Sequence, residues 1–184
     1  MSFPIVRAAA GAEGSDDLHM ARLLVLLAAA GGRRQQPVAG IMKLAKLDFL
    51  LRYPNCLAHT LTVTGRDPTS AAIQPHEENS IESRMVRFRY GPWDKRYRRW
   101  IALLVAKGLG KTYCKGRTVY VGLTDEGKRL ADGLAESQEF GDLATRASLI
   151  AKAVGGLSAT ALKDFVYREF PEIVAMRWGE EIEL

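Results

Sequence analysis

A mainly α-helical fold carrying one small β-hairpin is what the sequence predicts, on three observations. Tyr97, Trp100, Ile101, Leu104 and Gly108 recur at i, i+3, i+4 and i+7 spacing, which puts them on one buried face of a helix. That helix runs directly into Lys111–Lys115 and Arg117–Leu123, two alternating segments about a Lys115-Gly116 turn. Apolar-periodic segments with caps and Gly or Pro stops lie on both sides of this unit. A helix followed by a hairpin is the order of a recognition helix and its wing. The predicted class is therefore a winged-helix domain with a β-hairpin wing and a C-terminal helical extension. Residues 15–137 form the domain, with a loop insertion at about 55–82; residues 138–184 form the extension, and residues 1–14 are a flexible Gly/Ala-rich arm.

Each element follows from local chemistry. Ser15 caps a first helix whose first turn carries Asp16 and Asp17, both favourable at the positive end of the helix dipole. Leu18, Leu23, Leu24 and Leu27 line it, and Gly31-Gly32 stops it. Ile41 to Tyr53 is apolar over most of its circumference, the mark of a central core helix, and Pro54 ends it. Asn55 to Ser80 is rich in breakers; Leu57 to Thr64 reads as a strand and Thr69 to Ser80 as a loop. Gly91-Pro92 punctuates the chain before the recognition helix, which Asp94 caps and Gly108 closes. Trp93 joins Trp100 and Leu104 in the expected core, with Lys95, Arg98 and Arg99 exposed. Further helices start at Thr124, run from Phe140 to Val154, and extend from a Ser158 cap to Glu169. Pro171 then opens a short last segment anchored by Trp178.

The charge is concentrated. Between Arg84 and Arg99 stand Arg84, Arg87, Arg89, Lys95, Arg96, Arg98 and Arg99 against Asp94 alone, a local charge of +6 in a chain whose total is +5. The hairpin tip adds Lys115 and Arg117. Basic residues in a first turn oppose the helix dipole, so stability alone would not select them. Two readings stand side by side: a solvated face paired with acids of the later helices, or a surface for nucleic-acid phosphates or an acidic partner. Glu77, Glu78 and Glu82 precede the arginines, where they would mask part of the patch. A pI near 9.3 permits an acidic partner without requiring one.

Catalytic patterns fail one by one. Gly108-Leu109-Gly110-Lys111-Thr112 resembles the tail of a phosphate-binding loop, but Val105 stands where the motif needs glycine, and the order is helix to strand rather than strand to helix. His19, His59 and His76 have no metal-ligand spacing, either with each other or with Cys56 and Cys114. The expectation is a non-enzyme without cofactor or metal, reduced and cytoplasmic. No signal peptide or membrane span is expected, since the apolar run Leu23 to Ala30 falls far short of the ~20 residues required.

Two stretches resemble a known family. Lys43-Leu44-Ala45-Lys46-Leu47-Asp48-Phe49-Leu50-Leu51 is similar to an early helix of the middle components of bacterial ABC-three-component systems, the Lamassu-type antiphage defences. Val86-Arg87-Phe88-Arg89-Tyr90-Gly91-Pro92-Trp93-Asp94, with Gly108-Leu109 and the hairpin, resembles that family's second block; together they span about Ile41 to Ala131. Tyr90-Gly91-Pro92 and Leu123-Thr124-Asp125-Glu126-Gly127 are also found in other small prokaryotic winged-helix-like families, antitoxin-associated domains included. The resemblance implies a non-catalytic subunit between an SMC-like ABC ATPase and an effector in a DNA-sensing complex. Its basic residues would touch duplex DNA or the ATPase. A stand-alone winged-helix transcription regulator and an antitoxin-like protein-binding regulator are the alternatives.

Overall fold

Helix α1 (Asp16–Gly31) is the centre of the molecule: Leu23, Leu24, Val25, Leu26 and Leu27 are all buried, although they point in every direction around the axis. The run that is too short for a membrane is a helix enclosed by protein from Leu23 to Leu27 and half-buried from Ala28 to Ala30. The computed structural model describes residues 15–77 and 84–184; the expected N-terminal arm, Glu78 and Glu82 lie outside the described residues. Strand β1 (Val38–Ala39) leads into α2 (Ile41–Arg52), then α3 (Pro54–Val63) and a 3-10 turn at Pro68–Ala71. Next come β2 (Val86–Phe88), β3 (Gly91–Trp93), α4 (Tyr97–Ala106), and the wing strands β4 (Gly110–Lys115) and β5 (Thr118–Leu123). The chain ends with α5 (Asp125–Glu136), α6 (Gly141–Val154), α7 (Ala159–Glu169) and α8 (Pro171–Ala175).

The order β1-β5-β4, antiparallel with Val38 opposite Val121 and Gly110 opposite Leu123, makes the three-stranded sheet of a winged helix. The predicted class is the observed one: mainly helical, with a hairpin wing and helices after it. Most boundaries agree within a residue or two; Ser158 accepts the N-cap bond expected of it and Thr124 accepts one as well, whereas Ser15 stands at the cap position of α1 without a side-chain cap bond.

Several expectations are corrected. Leu57 to Thr64 is helix, not strand: Pro54 takes the first position of α3 rather than merely stopping α2, and its missing N–H costs nothing there. Residues 55–77 are thus a packed helix and turn, with Leu57 and Leu61 wholly buried, not a loop insertion. The basic stretch before Gly91 is half of a second hairpin, β2 against β3, which the run of arginines concealed. Asp94 does not cap α4; Arg96 occupies that position, while the Asp94 carboxylate receives the Arg96 N–H at 3.0 Å. Trp93 is half-buried, whereas Trp100 and Leu104 are in the core. Trp178 is 67% exposed; the C-terminal anchor is Ile182, buried, its N–H bonded to Met85 and its carbonyl to the Tyr53 hydroxyl.

The Leu123-Thr124-Asp125-Glu126-Gly127 motif is a junction between wing and helix. Thr124 donates its hydroxyl to Gly108 O at 2.6 Å and accepts the Gly127 N–H at 3.0 Å. A Cβ at Gly127 would stand 1.9 Å from Leu109 O, whereas one at Gly133, in the same helix, meets nothing within 4 Å. Gly127→Ala is therefore expected to cost about 3 kcal/mol and Gly133→Ala to add about 1 kcal/mol, read by denaturant unfolding. Equal effects from both would mean that α5 does not rest on Leu109.

Candidate functional site

The two motif blocks meet inside the protein. Asp48 of α2 accepts Arg22 Nε at 2.7 Å, Arg52 Nη2 at 2.8 Å and the Tyr97 hydroxyl. Arg52 reaches on to Asp94 at 3.0 Å, and Asp94 also holds Arg96 at 2.8 Å. Asp48, Arg22 and Arg52 are completely or almost completely inaccessible. Burial by itself would raise the Asp48 carboxyl, but Arg22 and Arg52 outweigh it and hold the group well below the usual carboxylate range. Asp94 likewise overcomes burial through bonds from Arg96 and Arg52, reaching about 2. Trp100 closes the cluster. Arg96 lies 4.8 Å and Arg52 5.5 Å from its ring, and its indole N–H donates to Asp16 at 2.9 Å. These charges are spoken for; the cluster fastens α1, α2 and α4 together and sets the direction in which α4 presents its outer face.

The nine basic residues divide accordingly. Arg84 is exposed but pairs with Glu181 at 3.3 Å and Glu183 at 2.5 Å. Arg87 is 7% exposed, facing inward from β2, so it is not part of an outer patch. Arg96 is committed to Asp94, and Arg99 to Asp16 at 2.6 Å. Acids thus neutralise part of the cluster, but they come from the C-terminal tail and the first helix rather than from the later helices. Glu77 does not mask the patch; it pairs with buried Arg146 at 2.7 Å. Arg89, Lys95, Arg98, Lys115 and Arg117 are exposed and form no ion pair among the described residues.

Two of these five share a cleft of about 520 Å³. Arg98 contributes one wall from α4, Arg117 to Tyr120 contribute another from the wing, and Gly40 to Lys43 and Ser158-Ala159 close the far side. The last two segments are the beginnings of α2 and α7. Gly40 has no side chain to cap α2, and its φ of 104° is a conformation that suits glycine. Lys43 crosses beneath and donates to Gly155 O at 2.7 Å, and burial lowers its pKa. On the outer face of the wing Tyr113 stacks on Tyr120 at 4.9 Å. The cleft thus offers two guanidinium groups and the positive end of an uncapped helix, a setting that attracts phosphate or carboxylate.

His19 contacts Arg22 at 2.8 Å and His59 contacts Glu169 at 3.1 Å. Cys56 is buried, which pushes its thiol up to about 12, and Cys114 is exposed. Among the described residues no group of His, Cys, Asp or Glu could hold a metal ion, and no helix is long and apolar enough to cross a membrane. The residues that sequence reasoning missed are Gly40 and Lys43 at the cleft and the Asp48–Arg52 pair behind it. Their signal was visible as charged residues inside an otherwise apolar helix. No protein-family model matches the chain, and no curated protein or solved structure matches it.

Proposed function

We propose that this chain is a non-catalytic DNA-binding subunit of a larger complex, with α4 and the wing lying along a phosphate backbone. The observation that carries the reading is the convergence of Arg98 and Arg117 on a cleft whose other side is an uncapped helix start. Neither cation has a carboxylate partner among the described residues, so both are offered to an external anion. Arg89, Lys95 and Lys115 would add contacts beyond the cleft. The family resemblance supplies the context: an SMC-like ABC ATPase and an effector as partners, in a cytoplasmic antiphage complex that senses DNA. Alone, the chain would bind duplex weakly and without sequence preference.

The test is fluorescence anisotropy with a ~20-base-pair duplex across a salt series. With about three to five phosphate contacts, log K should fall against log[salt] with a slope of roughly −3 to −4.5. Absence of binding at low salt would remove this reading. The winged-helix topology itself favours one alternative, a dimeric transcription regulator, which would instead show a preferred sequence and half-sites one helical turn apart. Catalysis is tested separately. The purified chain is expected to release no phosphate from ATP, since Lys111 sits on a wing strand with Val105 in place of the required glycine. Turnover that disappears in Lys111→Ala would overturn that expectation.

A further inference from the structure

Of the buried cations, Arg22, Arg52 and Arg146 each hold a carboxylate, whereas Lys46 and Arg87 hold none among the described residues. Lys46 is 1% exposed, and among the described residues its ammonium donates only to the Met42 carbonyl, at 3.0 Å. Arg87 is 7% exposed; its Nε and Nη1 have no acceptor among the described residues, and its guanidinium rests 5.2 Å from the Tyr167 ring centre. A lysine can shed its proton when buried, and burial with Lys163 nearby brings the Lys46 ammonium down to about 8. An arginine cannot, so its charge has to be met by something. The aromatic face of Tyr167 meets it in part.

The two cations share one neighbourhood. A Cβ built on Gly91 would stand 3.3 Å from Lys46 Cε and 3.9 Å from Tyr167 Cε1, so the β2–β3 turn, α2 and α7 close on the same point. Lys163 is one turn before Tyr167 on α7 and pairs only at the surface, with Asp164 at 3.1 Å. Both helices begin at the cleft already described. Lys46 is one turn along α2 from Met42, and Lys163 is one turn along α7 from Ala159.

We propose that the junction of α2, α7 and the β2–β3 hairpin is a second binding site, taking one phosphate group between Lys46, Lys163 and Arg87. Three cations suit a phosphate better than a single carboxylate, which one guanidinium satisfies on its own. The site stands on its own geometry. Only the source of the phosphate, a nucleic-acid strand leaving the cleft or a free phosphate-bearing ligand, rests on the proposed function.

Thermal unfolding in inorganic phosphate against chloride at matched ionic strength decides it. For a Kd of about 1 mM, 20 mM phosphate should raise the wild-type Tm by roughly 4–7 °C. Arg87→Met and Lys46→Met should each abolish the shift. Lys46→Met also removes an unpaired buried cation, so it should fold at least as stably as wild type without phosphate and keeps the test decisive if Arg87→Met fails to fold. No wild-type shift, or an undiminished shift in the variants, overturns the site. A duplex salt slope smaller by about one in Lys46→Met supports the site with a nucleic-acid strand as its source. An unchanged slope beside a lost phosphate shift supports it with a free ligand. Wild-type protein that binds no duplex removes the proposed function, and the phosphate shift still decides the site.

Discussion

Asp48→Asn is expected to cost about 3–5 kcal/mol of folding stability, the largest loss predicted for any single change here. The carboxylate stands between Arg22 and Arg52 with no access to water, so its removal takes the carboxylate from buried Arg22 and leaves Arg52 with Asp94 as its remaining acid. Against a total of roughly 5–15 kcal/mol, that brings a chain of this size close to unfolding, with Tm lower by roughly 6–20 °C. Arg22→Met combined with Asp48→Asn should lose less than the sum of the two single changes, because both single changes break the same Arg22–Asp48 pair and the double variant buries neither of its charges alone. A loss below about 1 kcal/mol for Asp48→Asn would show that the network is not what joins α1, α2 and α4. The same carboxylates set the acid limit. Asp48 and Asp94 are held below the usual range in the folded state, so their contribution is fully present above the unfolded value near 3.9. It is lost as pH falls through about 4 and on toward Asp94's folded value of about 2. Acid titration of Tm should therefore be flat near pH 6–7 and steep below about 4, and Asp48→Asn should flatten it.

The second large effect concerns binding. Lys95, Arg98 and Arg117 changed together to Glu should weaken duplex binding on the order of 10²- to 10³-fold at ~0.1 M salt, and reduce the salt slope by about three. Tm should hardly move, since all three are exposed and without ion pairs among the described residues. The choice of residues matters. Arg96 and Arg99 belong to the same sequence cluster, but Arg96→Glu would set a carboxylate against buried Asp94 and should destabilise the fold instead. If the triple change leaves DNA binding intact, the cleft is not the interface. If wild-type protein binds no DNA while the triple change blocks assembly with a protein partner, the basic face is a protein contact.

The sequence by itself determined the fold class, because that information is periodic and local. The buried stripe of α4, the wing alternation, the Ser158 cap, the helix start at Thr124 and the Gly31-Gly32 stop all act within a few residues of where they are written. It also showed that charge is concentrated between Arg84 and Arg99. It did not show which of those charges are free. Arg84 meets Glu181 and Glu183 from the far end of the chain, Arg99 meets Asp16, and Arg87 alternates inward only because β2 pairs with β3. Asp48 and Lys46 look alike on paper, two charged residues in an apolar helix, yet one is held by two arginines and the other lies near Lys163 and Tyr167 with no acid partner among the described residues. Ion pairs, orphaned cations and clefts depend on elements brought together across tens of residues, and side-chain charge carries no mark of its eventual partner. Only the tertiary packing assigned those partners, and with them the surface left for function.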